Sequence, residues 1–188
     1  MGIYSHLMGV KQMKKFILPL FVALFIVSFS SCSYVSYKDY YTNPYDYEKI
    51  WSLSGFGYDF EGVSEIFPRD IGGLNVKKFF CRYDQQLPLG EGVQLVLQIN
   101  YDEDSYEKEC NRIKPISYEC NDFFSEIDLS FYAKRLCEAG ISEYVAFDKQ
   151  NFCVYYIYLQ HIPKSEIEFD YRLLPDRYSG YGEFNINQ

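Results

Sequence analysis

The sequence predicts an α+β fold: a mainly antiparallel β-sheet of about five strands with one main helix packed on it. Three stretches carry that expectation. Val93-Gln94-Leu95-Val96-Leu97-Gln98-Ile99-Asn100-Tyr101 alternates, with Val93, Leu95, Leu97, Ile99 and Tyr101 facing one way, the period of a half-buried strand. Glu143 to Phe147 and Phe152 to Gln160 are rich in β-branched and aromatic residues, and Asp148-Lys149-Gln150-Asn151 between them suits a hairpin loop. After the first of these strands, Asp102 can cap a helix, Glu103 and Asp104 suit its positive N-terminus, and Tyr106, Cys110 and Ile113 share one face.

The remaining elements follow in order. Ile66-Phe67-Pro68-Arg69-Asp70-Ile71 is a short apolar stretch leading into a Gly72-Gly73 turn, and Asn75 to Tyr83 is strand-like. The acidic run Asp102-Glu103-Asp104 lacks the glycine and later glutamate of an EF-hand loop, so it is read as cap chemistry rather than a calcium site. Phe131 to Gly140 reads two ways: the glycine fits a helix stop, yet the segment equally suits a strand ending in a turn. Lys164-Ser165-Glu166-Ile167 is a short turn or helical piece, and Leu173-Leu174-Pro175 with a glycine-rich tail closes the chain.

The N-terminus is a leader. Met13-Lys14-Lys15 is followed by an apolar run from Phe16 to Phe29 and then Ser30-Ser31-Cys32-Ser33. The run is too short for a membrane-spanning helix, which needs roughly 20 apolar residues, and has the length of a signal-peptide core. Small residues before Cys32 suit cleavage there, which makes Cys32 the lipid attachment site of a bacterial lipoprotein; Phe29 stands where a lipobox usually has leucine. Two acyl chains at roughly 0.8 kcal/mol per buried methylene make such an anchor long-lived. The expected organisation is 1–31 as signal peptide with its true start at Met13, and 32–50 as lipidated cysteine and tyrosine-rich tether. Residues 51–178 are then a single α+β domain, and 179–188 a C-terminal tail. Residues 33–50 show neither helical nor strand periodicity, and their six tyrosines suggest, as an alternative to a plain tether, a surface for sugar or peptide.

Three of the 18 bases and none of the 26 acids precede Cys32, so the mature formal charge is −11. That balance argues against nucleic acid and leaves cationic partners open. With Cys32 assigned to lipid, Cys81, Cys110, Cys120, Cys137 and Cys153 remain, an odd number that cannot pair completely. They read best as small buried hydrophobes, with one bridge within Cys110/Cys120 or Cys137/Cys153 left open. There is no Cys-x-x-Cys, and His161 is the one histidine after Cys32, so neither a zinc site nor a Ser or Cys nucleophile with its base has the usual residues. His161 reads as a polar cap at a strand edge. Ser54-Gly55-Phe56-Gly57 and Gly90-Glu91-Gly92 lack the rest of a phosphate-loop fingerprint and read as turns. The expectation is therefore no catalytic, metal or cofactor residue. The 20 tyrosines and 16 phenylalanines, including Tyr155, Tyr156 and Tyr158, read as core filling before recognition surface.

Ile66-Phe67-Pro68 with Ile71, the stretch from Tyr101 to Ile113, Glu143-Tyr144 to Gln160, and Phe169-Asp170 with Leu174-Pro175 and Tyr178 together resemble an uncharacterised family of lipoproteins and exported proteins of Gram-positive gut bacteria. The resemblance implies a strand over 130–138, ahead of the 143–160 hairpin, and brings no activity with it. Cys110 and Cys137 stand where that family has aliphatics, which implies thiols in the core. The functional expectation is a non-enzymatic lipoprotein, anchored to the extracytoplasmic face of the cell membrane by a diacylglyceryl group, that binds an envelope protein, peptide or glycan. The alternative is an acidic inhibitor or immunity protein against a basic toxin or lysozyme-like enzyme. An envelope hydrolase is a third reading, disfavoured by the lone histidine.

Overall fold

The computed structural model describes residues 36–50, 65–86, 90–121, 123, 128–138, 140–176 and 178. The leader, Cys32, Trp51 and the tail 179–188 lie outside them. Seven strands are formed: β1 (Ser36–Tyr41), β2 (Asn75–Gln86), β3 (Gly90–Asn100), β4 (Tyr118–Cys120), β5 (Ser130–Glu138), β6 (Ile141–Asp148) and β7 (Cys153–Gln160). Two helices join them, a single turn α1 (Tyr47–Ile50) and the main helix α2 (Glu103–Ile113). The strands make one antiparallel sheet in the order β1-β2-β3-β7-β6-β5-β4. Two meanders thus meet at the β3–β7 pair, and α2 carries the chain from the middle of the sheet to its far edge. The fold is α+β, with seven described strands where the sequence suggested about five.

The alternation read in Val93–Ile99 is the alternation of the sheet. Val93, Leu95, Leu97 and Ile99 join Phe79, Cys81, Val154, Tyr156 and Tyr158 on one face, under Tyr106, Cys110 and Ile113 of α2 and Tyr47 and Ile50 of α1. Val96, Tyr144, Ala146, Ile157 and Leu159 face the other way and are covered by a C-terminal strap carrying Ile162, Ile167, Phe169, Leu174 and Tyr178. A strand in the middle of this sheet is dry on both sides, which is why β7 reads as a nearly continuous apolar run. Asp102 caps α2 as its position suggests: one carboxylate oxygen accepts the Ser105 N–H at 2.8 Å and the other the Ser105 hydroxyl at 2.8 Å. Residues 130–138 form a strand, the second of the two readings of that segment.

Residues 36–50 are not a tether. β1 pairs with β2 from Ser36↔Gln86 to Tyr41↔Cys81, and Tyr47 and Ile50 are fully buried. The signal was hidden because β1 is a short, charged edge strand, the usual protection of a sheet edge, and α1 is only one turn. Of the tyrosines there, Tyr47 is core, Tyr41 packs against it, and Tyr40 and Tyr45 are exposed. β4, three residues with only Cys120 buried, carries no period to read.

The strap is held down by charge. Arg82 is 3% exposed on the strap side of β2. Its Nε donates to Asp84 at 2.9 Å, and one terminal nitrogen donates to both Asp84 and Glu166. The other terminal nitrogen reaches Glu168 at 3.0 Å and the Glu166 carbonyl at 3.1 Å. Beside it the Glu168 N–H donates to Gln94 Oε1 at 3.0 Å, and farther along Tyr144 and Tyr178 donate to the Leu173 and Ile162 carbonyls, each at 2.7 Å. Replacing Arg82 with methionine leaves Asp84, 2% exposed, as a buried carboxylate without its guanidinium. We expect Arg82→Met to cost about 3–5 kcal/mol in urea unfolding; a loss below about 1 kcal/mol would mean the strap is held by its apolar contacts alone.

Candidate functional site

A concavity lies where β1 leaves the sheet. β1 covers only Cys81–Gln86 of β2, and after Tyr41 the chain turns away. Asn43 caps the turn, its Oδ1 accepting the Tyr45 N–H at 3.1 Å, and Pro44 occupies the first helical position. Tyr47 then drops into the core, its hydroxyl donating to the Pro68 carbonyl at 2.6 Å and its ring meeting Phe79 edge-on at 5.8 Å. The opposite wall runs from Asp70 to Val76. Asp70 Oδ1 accepts the Gly72 N–H at 2.6 Å, and Gly73 takes φ +76°, which only glycine adopts without strain. Between the walls is a cleft of about 500 Å³. Tyr45, 90% exposed, stands at its rim, and among the described residues its charged lining side chains are Glu48 and Asp70. An aromatic face beside two carboxylates suits a cationic group.

A second hollow of about 300 Å³ lies under the strap, lined among others by Lys78, Gln98, Asp148, Tyr155 and Arg172. Several of its polar groups already serve one another: Arg172 pairs with Asp170 at 2.6 Å, and Gln98 Nε2 lies 3.4 Å from the Tyr155 hydroxyl and 3.5 Å from Cys153 Sγ.

The residues weighed for catalysis are placed as follows. His161 follows β7, which is an interior strand between β3 and β6 and not an edge. It takes φ +50° and its ring lies against Gly140, where a Cβ would come within 2.5 Å of His161 Cδ2. Neither Cys110/Cys120 nor Cys137/Cys153 is bridged. Cys110 faces the core under α2 while Cys120 faces the strap side, so the sheet separates them. Burial pushes the Cys81 thiol up to about 12 and raises Cys110 and Cys153 as well, so these three are poor nucleophiles. No group of metal-ligating side chains occurs among the described residues. Tyr156 and Tyr158 are buried, as core filling requires; Tyr156 donates to Glu109 at 2.5 Å, and Arg112 beside it donates to the carbonyls of Glu65 and Ile66.

One buried acid was not singled out by the sequence. Glu143 is fully buried on β6, opposite Arg135 of β5 and Tyr158 of β7. Arg135 donates to its Oε2 at 3.2 Å, while Oε1 and Arg135 Nε have no protein partner. A Glu preceding a tyrosine in a strand carries no visible mark of this, since the alternation alone decides that it points inward.

No family model, curated protein or solved structure matches the chain.

Burial pushes Glu143 up to about 7 from 4.5, against the lowering effect of Arg135. Between those values the folded protein holds a proton that the unfolded chain has lost, so the stability tied to Glu143 is full below pH 4.5 and falls as pH rises toward 7. Across that window the loss is of the order of 3 kcal/mol. In urea unfolding from pH 4.5 to 8, Glu143→Gln should gain on the wild type steadily with pH. A difference between the two that does not change with pH would contradict this.

Proposed function

We propose that the protein is a lipid-anchored, non-catalytic binding module of the extracytoplasmic face of a bacterial membrane, and that the cleft beside Tyr45 takes a cationic segment of an envelope protein or peptide. The observation that carries the binding reading is the cleft itself: about 500 Å³, with an exposed tyrosine at the rim and, among the described residues, only acidic charged side chains in its lining. Address and anchoring rest on Lys14-Lys15, the Phe16–Phe29 run and Cys32, together with the resemblance to exported lipoproteins. The raised thiols of Cys81, Cys110 and Cys153 and the packing of His161 on Gly140 support a non-catalytic reading. The formal charge of −11 after cleavage favours a second reading, an inhibitor or immunity protein that covers a basic enzyme over a wide acidic surface.

The test compares wild-type protein with Tyr45→Ala/Glu48→Gln, both exposed positions, as bait for envelope extracts. The cleft reading predicts a cationic partner whose recovery falls at least tenfold in the double variant, with urea unfolding unchanged. Equal recovery by both baits would sink it. Recovery that ignores the double variant but vanishes at high salt would favour the inhibitor reading, because a wide surface charge match is screened within about 8–10 Å.

A further inference from the structure

The pairing of β1 decides which end of the domain meets the membrane. Ser36, its first residue, lies opposite Gln86, and Gln86 lies opposite Gly90, so β1 enters at the end of the sheet where β2 turns into β3. Cys32 is four residues before Ser36, a span of at most about 14 Å. We propose that the domain stands end-on on the bilayer, its β2–β3 end against the lipid headgroups and its Tyr45 cleft facing away from them. The proposal rests on the reading of Cys32 as the acylated residue, and it deepens the function by excluding the anchoring lipids as the occupant of the cleft.

The distances follow from strand geometry. β2 runs twelve residues from Gln86 back to Asn75, about 36 Å at 3.3 Å per residue. Asn75 and Val76, at its far end, line the cleft together with Leu74, Glu48 and Tyr45. A link of three residues between Cys32 and Ser36 cannot carry the cleft back to the surface unless the domain lies on its side. Charge opposes that posture. The mature chain carries −11, and lying flat brings more of it within a Debye length, about 8 Å, of anionic headgroups. Standing on the β2–β3 end keeps most of the acidic body outside that layer. The partner therefore arrives from the aqueous side, about 35 Å or more beyond the headgroups.

The experiment uses the full acylated protein in vesicles of phosphatidylglycerol and phosphatidylethanolamine that carry an energy acceptor on their headgroups. A fluorescent amino acid is placed at Tyr45 or, separately, at Gln86, and a third protein carries the Gln86 probe with twelve Gly/Ser residues inserted after Ser33. End-on standing predicts transfer several-fold stronger from position 86 than from position 45, and a marked fall at position 86 on insertion. Equal transfer from the two positions, or stronger transfer from 45, overturns the orientation while leaving the anchor intact. Unchanged transfer after insertion overturns the claim that the short link orients the domain. Protein that stays in solution, without a diacylglyceryl mass on Cys32, overturns the anchor reading itself.

Discussion

A sheet whose central strands are apolar on both sides must be covered twice, and everything else in this structure follows from that requirement. One face receives the amphipathic helix α2, whose Tyr106, Cys110 and Ile113 are spaced to meet it, with α1 and the Ile66-Phe67 stretch filling the remainder. Among the described residues the other face has no α-helix. It is closed by an irregular strap, Ile162 to Tyr178, whose backbone polar groups would be costly beneath a dry layer without partners. Arg82 resolves that difficulty. It offers its donors to Asp84 on its own strand, to Glu166 and Glu168 on the strap, and to the Glu166 carbonyl. Burying a guanidinium is expensive, and the return is position more than energy, since a bidentate fork fixes the strap's register where apolar contacts would let it slide.

The second consequence concerns the N-terminal segment. β2 needs a neighbour over Cys81–Gln86, and β1 supplies it with the six residues Ser36–Tyr41. The described fold thus already includes Ser36, the fourth residue after Cys32. The cleft arises from the same economy of chain: β1 stops at Tyr41, half of β2 is left beyond it, and the turn at Asn43-Pro44 forms one wall of the vacancy.

Much of this was legible in the residues and some was not, for reasons that are physical. α2 was legible to its cap because its apolar face has a clean period and Asp102 is followed by acids. β3 and the β6–β7 hairpin were legible because strands in the middle of a sheet are rich in β-branched and aromatic residues. β1 and β4 were not: both are short, lie at the edges, and bear charged or polar residues that blunt an exposed edge and erase the alternation. The Arg82 clamp was half visible, since Arg82 and Asp84 share a face at i, i+2, but Glu166 lies 84 residues away and nothing local announces it. Glu143 and the Tyr45 cleft depend on what lies across the sheet or across a turn, which is tertiary information. The tyrosines divide in the same way: composition favoured core, and the structure assigns Tyr47, Tyr144, Tyr156 and Tyr158 to it while leaving Tyr45 at the cleft rim.

The claim on which the account turns is that the chain is folded from Ser36 onward. Hydrogen exchange of the protein, read by mass on peptides covering residues 36–50, tests it directly. Protection is expected there, through β1 pairing and the burial of Tyr47 and Ile50, close to that of the opposite edge strand β4 and lost only on global unfolding. Complete exchange of 36–50 within seconds, while β3 and β7 stay protected, would contradict it and return residues 36–50 to a flexible tether.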